Sequence, residues 1–393
     1  MKHVGMIATL MVLAVMAGFA PPSGRPPIGP LQRYEPRRYD LRFDVTLSTL
    51  QQLDARDRQN YDLKDAPIVL PVIFLDSFSK VDSDSVKAGL WLESRAEDPH
   101  LLLKSGFPFN TYLATLTVDS FSGQSLRWQV TYGVQVWSSR IDDDKAALIA
   151  WPKEWPKEVQ DGLQPQKYIE SDDPIFAQEV QKISGNKLHM VPPYLAAKDI
   201  IRDCIKEIQV SGDGTNRGEA ITFGGGAGAT TRAAAAHNSI RGMNVMGAKN
   251  AALKKLGTPH DLVCVCIAML RAAGIPARPI IGTLEDQKGI ADFVSWGEFY
   301  LPEAGWVPFD PMAMRGKGVR TMDVRKAWPE FGNMKDLNKR IPLSYYFIPP
   351  ATVESPQYPA VWGWDPRPGR DPSSNPAVFM DITSRGKGVE DPQ

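Results

Sequence analysis

The sequence predicts an α+β protein in which an N-terminal β-sandwich is followed by a mixed domain of helices and strands. Three observations carry this. Short runs of alternating apolar and polar residues recur between 39 and 137, the period of half-buried strands. Capping signals and helical spacing take over after Asp173. The chain has 393 residues, 43% of them hydrophobic, enough to bury two cores, and its 32 Gly and 33 Pro favour strands and loops over long helices.

The elements follow in chain order. Lys2 precedes an uncharged stretch from Val4 to Phe19, and Ala20-Pro21-Pro22 comes next, which is the anatomy of a secretory signal peptide over 1–20. The stretch is short of the roughly 20 residues a span needs, and no basic stop-transfer cluster follows, so no stable membrane span is expected. Pro21 obstructs cleavage after Ala20, which makes Gly18 the expected first residue of a secreted or periplasmic protein. Between 39 and 47, Tyr39, Leu41, Phe43, Val45 and Leu47 alternate with Asp40, Arg42, Asp44 and Thr46. Similar runs at 67–75, 87–92, 111–118 and 124–137, the last with Leu126, Trp128, Val130 and Tyr132 on one face, predict a β-sandwich over 34–150.

A duplicated WPKE opens a Pro-rich linker and helix over 151–192, the helix capped by Asp173 and started by Pro174. In the domain expected over 193–350, Ile201, Cys204, Ile205 and Ile208 share a helix face, which makes Cys204 a core residue. The Gly- and Ala-rich segment 223–238 lacks the Lys-Ser or Lys-Thr of a phosphate loop and reads as a flexible loop. Residues 351–393 carry few apolar side chains and are expected to be a largely disordered tail. The 45 basic residues cancel the 45 acidic ones, so no global field favours nucleic acid. The three cysteines form neither a disulfide scaffold nor a paired zinc motif, and no metal or cofactor is implied.

The informative stretch is 257–311. Arg271 and Gly274-Ile275-Pro276-Ala277-Arg278 follow an apolar helix; Trp296 and Glu298 lead a strand; Gly305-Trp306 and Phe309-Asp310-Pro311 close the next. These blocks resemble the transglutaminase-like superfamily over about 190–348. The resemblance implies a papain-like fold with a cysteine, histidine and aspartate triad: a thiol opening the helix, a histidine two residues before the strand tryptophan, and an aspartate after the next strand. The helix end and the histidine would lower the thiol pKa, and the carboxylate would hold the imidazole.

At the matching positions stand Pro259, Val294 and Asp310, so only the carboxylate is present. No histidine or cysteine occurs from 279 to 393. Cys264 and Cys266 fall inside the apolar helix, where burial raises a thiol pKa. Thr258-Pro259-His260-Asp261 reads as an N-cap, a first-position proline and a capping box, so the helix start is kept. His260 reads as a lone surface histidine, and His260, Trp296, Glu298 and Trp306 are expected to line the vestigial cleft. The sequence thus predicts an exported transglutaminase-like protein without its catalytic Cys and His, a binding or structural module for a protein or cell-wall polymer. Two alternatives stand beside it: a thiol amidohydrolase, acyltransferase or peptidase using a displaced cysteine, and a carbohydrate-binding protein using Trp151, Trp155, Trp362 and Trp364.

Overall fold

The computed structural model describes residues 29–48, 61–97, 99–212, 214–217, 221–222, 240–285, 293–347, 363–364 and 377–388. The expected signal peptide, the loop at 223–238 and Trp362 lie outside them. The N-terminal part runs through β1 (Leu31–Ser48), β2 (Tyr61–Val72), β3 (Ser79–Val81), β4 (Lys87–Leu92), β5 (Arg95–Glu97), β6 (Leu101–Phe107), β7 (Thr111–Gly123) and β8 (Ser125–Ile141). Helices then enter: α1 (Asp143–Ala146), α2 (Pro174–Ser184), α3 (Pro193–Glu207), β9 (Gln209–Val210), β10 (Thr215–Arg217), β11 (Ile221–Thr222), β12 (Ile240–Met243) and α4 (Ala248–Lys254). After these come β13 (Leu256–Gly257), α5 (Pro259–Ala272), β14 (Ala277–Leu284), β15 (Phe293–Leu301), β16 (Gly305–Phe309), α6 (Pro311–Gly316), β17 (Arg340–Ser344), β18 (Gly363–Trp364) and β19 (Ala377–Gly388).

Alternation decides the sandwich. Tyr39, Leu41, Phe43 and Val45 of β1 are buried, as are Leu126, Trp128, Val130, Tyr132, Val134 and Val136 of β8, and the two strands pair antiparallel from Leu31↔Ile141 to Ser48↔Ser125. One sheet has the order β10-β12-β19-β1-β8-β4-β5, with β11 on β19 and β3 on β8; the other has the order β18-β2-β7-β6.

Within the tail expected over 351–393, residues 377–388 are a correction, because they form β19, which pairs with β1 in unbroken antiparallel register from Tyr39↔Gly388 to Ser48↔Phe379. Read alone, the segment is too poor in apolar residues to fold; its partner lies at the other end of the chain. Gly386 lets Ile341 pack close against the strand, since a Cβ there would stand 2.2 Å from Ile341 Cδ1 and push that side chain aside. The sandwich is therefore not closed within 34–150, for its first sheet takes strands from 215–243 and 377–388.

The second sheet system, β16-β15-β14-β17, carries α5 against β14 and β15, with α3 and α4 packed on the same helix. Every α5 residue from His260 to Arg271 is buried. Arg271 ties the preceding linker down: its Nε donates to Ala277 O at 2.8 Å and its Nη2 to Gln166 Oε1 at 2.8 Å, while Nη1 reaches Gln164 O. Burial pulls its pKa down to about 10.

A chain ended at Trp364 loses β19 and leaves ten paired positions of β1 open. Its melting temperature is expected to fall by at least about 5 °C, the scale of about 4 kcal/mol in a chain of this size. Circular dichroism melts of the full and shortened chains measure this, and an unchanged midpoint would show β19 to be dispensable.

Candidate functional site

The first turn of α5 is fixed by a complete capping box. Thr258 Oγ1 accepts from Asp261 N, and Asp261 Oδ2 accepts from Thr258 N at 2.9 Å. The other carboxylate oxygen accepts from Met246 N at 2.8 Å and Gly247 N at 3.1 Å, and Thr258 Oγ1 donates to Asn244 O at 2.6 Å. Burial still raises the Asp261 pKa, against the lowering effect of these bonds. Pro259 stands at the first helical position, where no intrahelical partner is lost.

His260 is not the surface residue the sequence suggested. It is 2% exposed, its Nδ1 lies 2.7 Å from Ser295 Oγ of β15, and its ring meets the edge of Phe347 with centroids 5.9 Å apart. An apolar helix with a His in its first turn gives no sign of which way that turn faces. Successive side chains of a strand point to opposite faces, so Val294, Trp296 and Glu298 share the face of β15 opposite Ser295. Asp310 is engaged elsewhere: Oδ1 accepts from Ala313 N at 2.9 Å as the N-cap of α6, and Oδ2 pairs with Arg340 at 2.7 Å. The Arg340 guanidinium lies 5.7 Å from the Trp296 ring centre.

Trp296, Glu298 and Trp306, expected to line a cleft, are all buried. Glu298 and Trp306 enclose Arg278, which donates from Nε to Glu298 Oε2 at 2.9 Å and from Nη2 to the same oxygen at 2.7 Å. Its Nη2 also pairs with Asp76, and Tyr345 donates to Asp76 at 2.8 Å. The Trp306 and Tyr345 rings each lie 4.1 Å from the guanidinium carbon. Burial opposes the charge on Arg278, but Tyr345, Glu298 and Asp76 outweigh it and raise its pKa. Burial and then Asp76 push Glu298 up to about 8.

Residues 230–311, which include α5 and run through Pro311, match the family model described as the transglutaminase-like superfamily. The chain carries a transglutaminase-like domain. No curated protein matches the chain. Among solved structures it is similar to a candidate cysteine protease from Cytophaga hutchinsonii, 13% identical, covering 91% of this chain and 92% of that one with a TM-score of 0.49. It is also similar to the periplasmic domain of TgpA from Pseudomonas aeruginosa, 13% identical, covering 72% of this chain and 91% of that one with a TM-score of 0.32.

Cys204, Cys264 and Cys266 are all buried. Burial raises the Cys264 and Cys266 thiols well above their ordinary value. Of the aromatic candidates, Trp151 and Trp155 are half-buried. Trp151 donates to Val191 O at 2.7 Å and meets His189 and Trp155 edge to face, and Trp155 meets Tyr300 in the same way. Trp364 lies in β18, paired with Ile68. Among the described residues no group of His, Cys, Asp or Glu could hold a metal. Asp76, Tyr345 and Ser295 escaped the sequence reading; a lone Asp in the apolar run before Ser77 and Phe78 was the available sign for the first.

Two outcomes follow. Because the folded Glu298 holds its proton to about pH 8 and the unfolded one releases it near its ordinary 4.5, stability falls as pH rises through that interval. Glu298→Gln keeps the shape without the ionisation, so its melting temperature should vary less between pH 5 and 9 than that of the wild type. Equal slopes would place the titration elsewhere. Asp310→Ala removes a helix cap and strands Arg340, an expected loss of about 2 kcal/mol in urea unfolding; a loss under about 0.5 kcal/mol would deny that carboxylate a structural role.

Proposed function

We propose that the chain is an exported protein whose transglutaminase-like domain has lost the thiol chemistry of its superfamily and serves as a binding or structural module, its partner a protein or a cell-wall polymer. The observation that carries this is the opening of α5. Pro259 occupies the position where the superfamily's thiol is expected, inside a complete capping box. Supporting it, each of the three thiols is buried, and the pair in α5 is held protonated by burial. A thiol attacks as thiolate, so a protonated, enclosed sulfur cannot open an acyl-transfer cycle. The segment Val4–Phe19 supports export, and among the described residues no helix is long and apolar enough to cross a membrane.

Iodoacetamide applied to the native protein at pH 8 should alkylate none of Cys204, Cys264 and Cys266 within hours, and all three after unfolding in guanidinium, as read by intact mass. A single cysteine modified rapidly in the native state would restore the thiol-enzyme reading. Terminal sequencing of the exported chain should begin near Gly18; an intact Met1 in the membrane fraction would refute cleavage.

A further inference from the structure

The loss of the thiol leaves a second nucleophile at the same junction of helix and strand. The superfamily's pattern brings the first residue of the helix to the strand position two before the tryptophan, here Pro259 and Val294. The contact between α5 and β15 falls one residue later at both ends, on His260 and Ser295, with Nδ1 and Oγ 2.7 Å apart. The residue types have changed sides: the imidazole is on the helix and the hydroxyl on the strand. We propose that Ser295 is an acyl-accepting nucleophile with His260 as its general base, acting on esters, a reading that goes beyond the absence of thiol chemistry.

Accessibility and rigidity both favour this division of roles. Ser295 is partly exposed while His260 is enclosed, so of the pair the serine is the residue open to solvent. The residues preceding each, Pro259 and Val294, are also partly exposed and carry no competing polar side chain. The imidazole is held from several directions: by the capping box and the Asp261 anchor beneath it, by the Phe347 edge, and by Gly214, where a Cβ would stand 2.7 Å from Nε2. Such restraint is the preorganisation that a general base needs.

The step balances without further groups than water. In the Nε2–H tautomer Ser295 Oγ–H donates to His260 Nδ1. The O–H bond breaks toward the imidazole as Oγ bonds the ester carbonyl carbon. The ester C–O bond then breaks, and the leaving alkoxide takes the proton from the imidazolium. Water adds to the acyl-serine with the same base, releasing a carboxylic acid and restoring the hydroxyl. Esters are the class indicated, since an alkoxide departs with less proton assistance than an amine.

The full-length mature chain is treated with a fluorophosphonate probe and, separately, with p-nitrophenyl acetate, and adducts are mapped by peptide mass spectrometry. Modification of Ser295 is expected, with a rate that rises sigmoidally with pH as the imidazole loses its proton. It should vanish in Ser295→Ala and slow at least tenfold in His260→Gln. No adduct on Ser295 in the wild type overturns the proposal, as does an unchanged rate in a folded His260→Gln. Should His260→Gln fail to fold, Ser295→Cys, which differs by one atom, provides the second measure: its new thiol should alkylate faster than a free cysteine at pH 7. A slower rate refutes activation by His260. A reactive native cysteine would instead overturn the module reading, so the two fail separately.

Discussion

Arg278 is the point on which the two halves of the molecule depend. Its guanidinium is fully enclosed, and an isolated charge there would be untenable. It is met by Asp76 from the sandwich, by Glu298 from the transglutaminase-like sheet and by Tyr345 beyond β17, with Trp306 closing one face. Removing Asp76 leaves a buried cation short of a partner, and breaking a buried pair in that way costs about 3–5 kcal/mol. The junction therefore has little freedom to hinge, and β15 reaches it through Glu298 while offering Ser295 to α5 on its other face.

The start of α5 is pinned at several points. Its first turn is held by Thr258, Asp261 and the backbone of Asn244, Met246 and Gly247. Asp310 likewise keeps its place at the end of β16, but its oxygens serve Ala313 and Arg340. A carboxylate can orient an imidazole or cap a helix, and the neighbours decide which.

The sequence was most legible where a local rule operates alone. Alternation located β1 and β8, and the spacing of Thr258, Pro259 and Asp261 located the capping box, because each depends on residues a few places apart. The thiols were readable for the same reason, as apolar neighbours within α5 enclose them. What escaped depends on partners distant in the chain. His260 looked exposed because nothing near it announces Ser295 or Phe347, and Glu298 looked like a cleft residue because its partners are Asp76 and Arg278. The strand at 377–388 was the largest omission: no local excess of apolar residues marks it, and its order comes from the edge of β1.

That last pairing sets an order of events during synthesis. β19 lies more than 300 residues after β1, so one edge of β1 has no partner until that length of chain has been made. In the interval it presents a row of open N–H and C=O groups beside its Tyr39, Leu41, Phe43 and Val45 side chains, the kind of edge that templates pairing between chains. Native closure joins the most distant parts of the sequence, which is slow by its topology. Crowded nascent molecules would therefore meet their chief hazard before the final strand arrives, and a factor that shields that edge would act early, on the N-terminal segment.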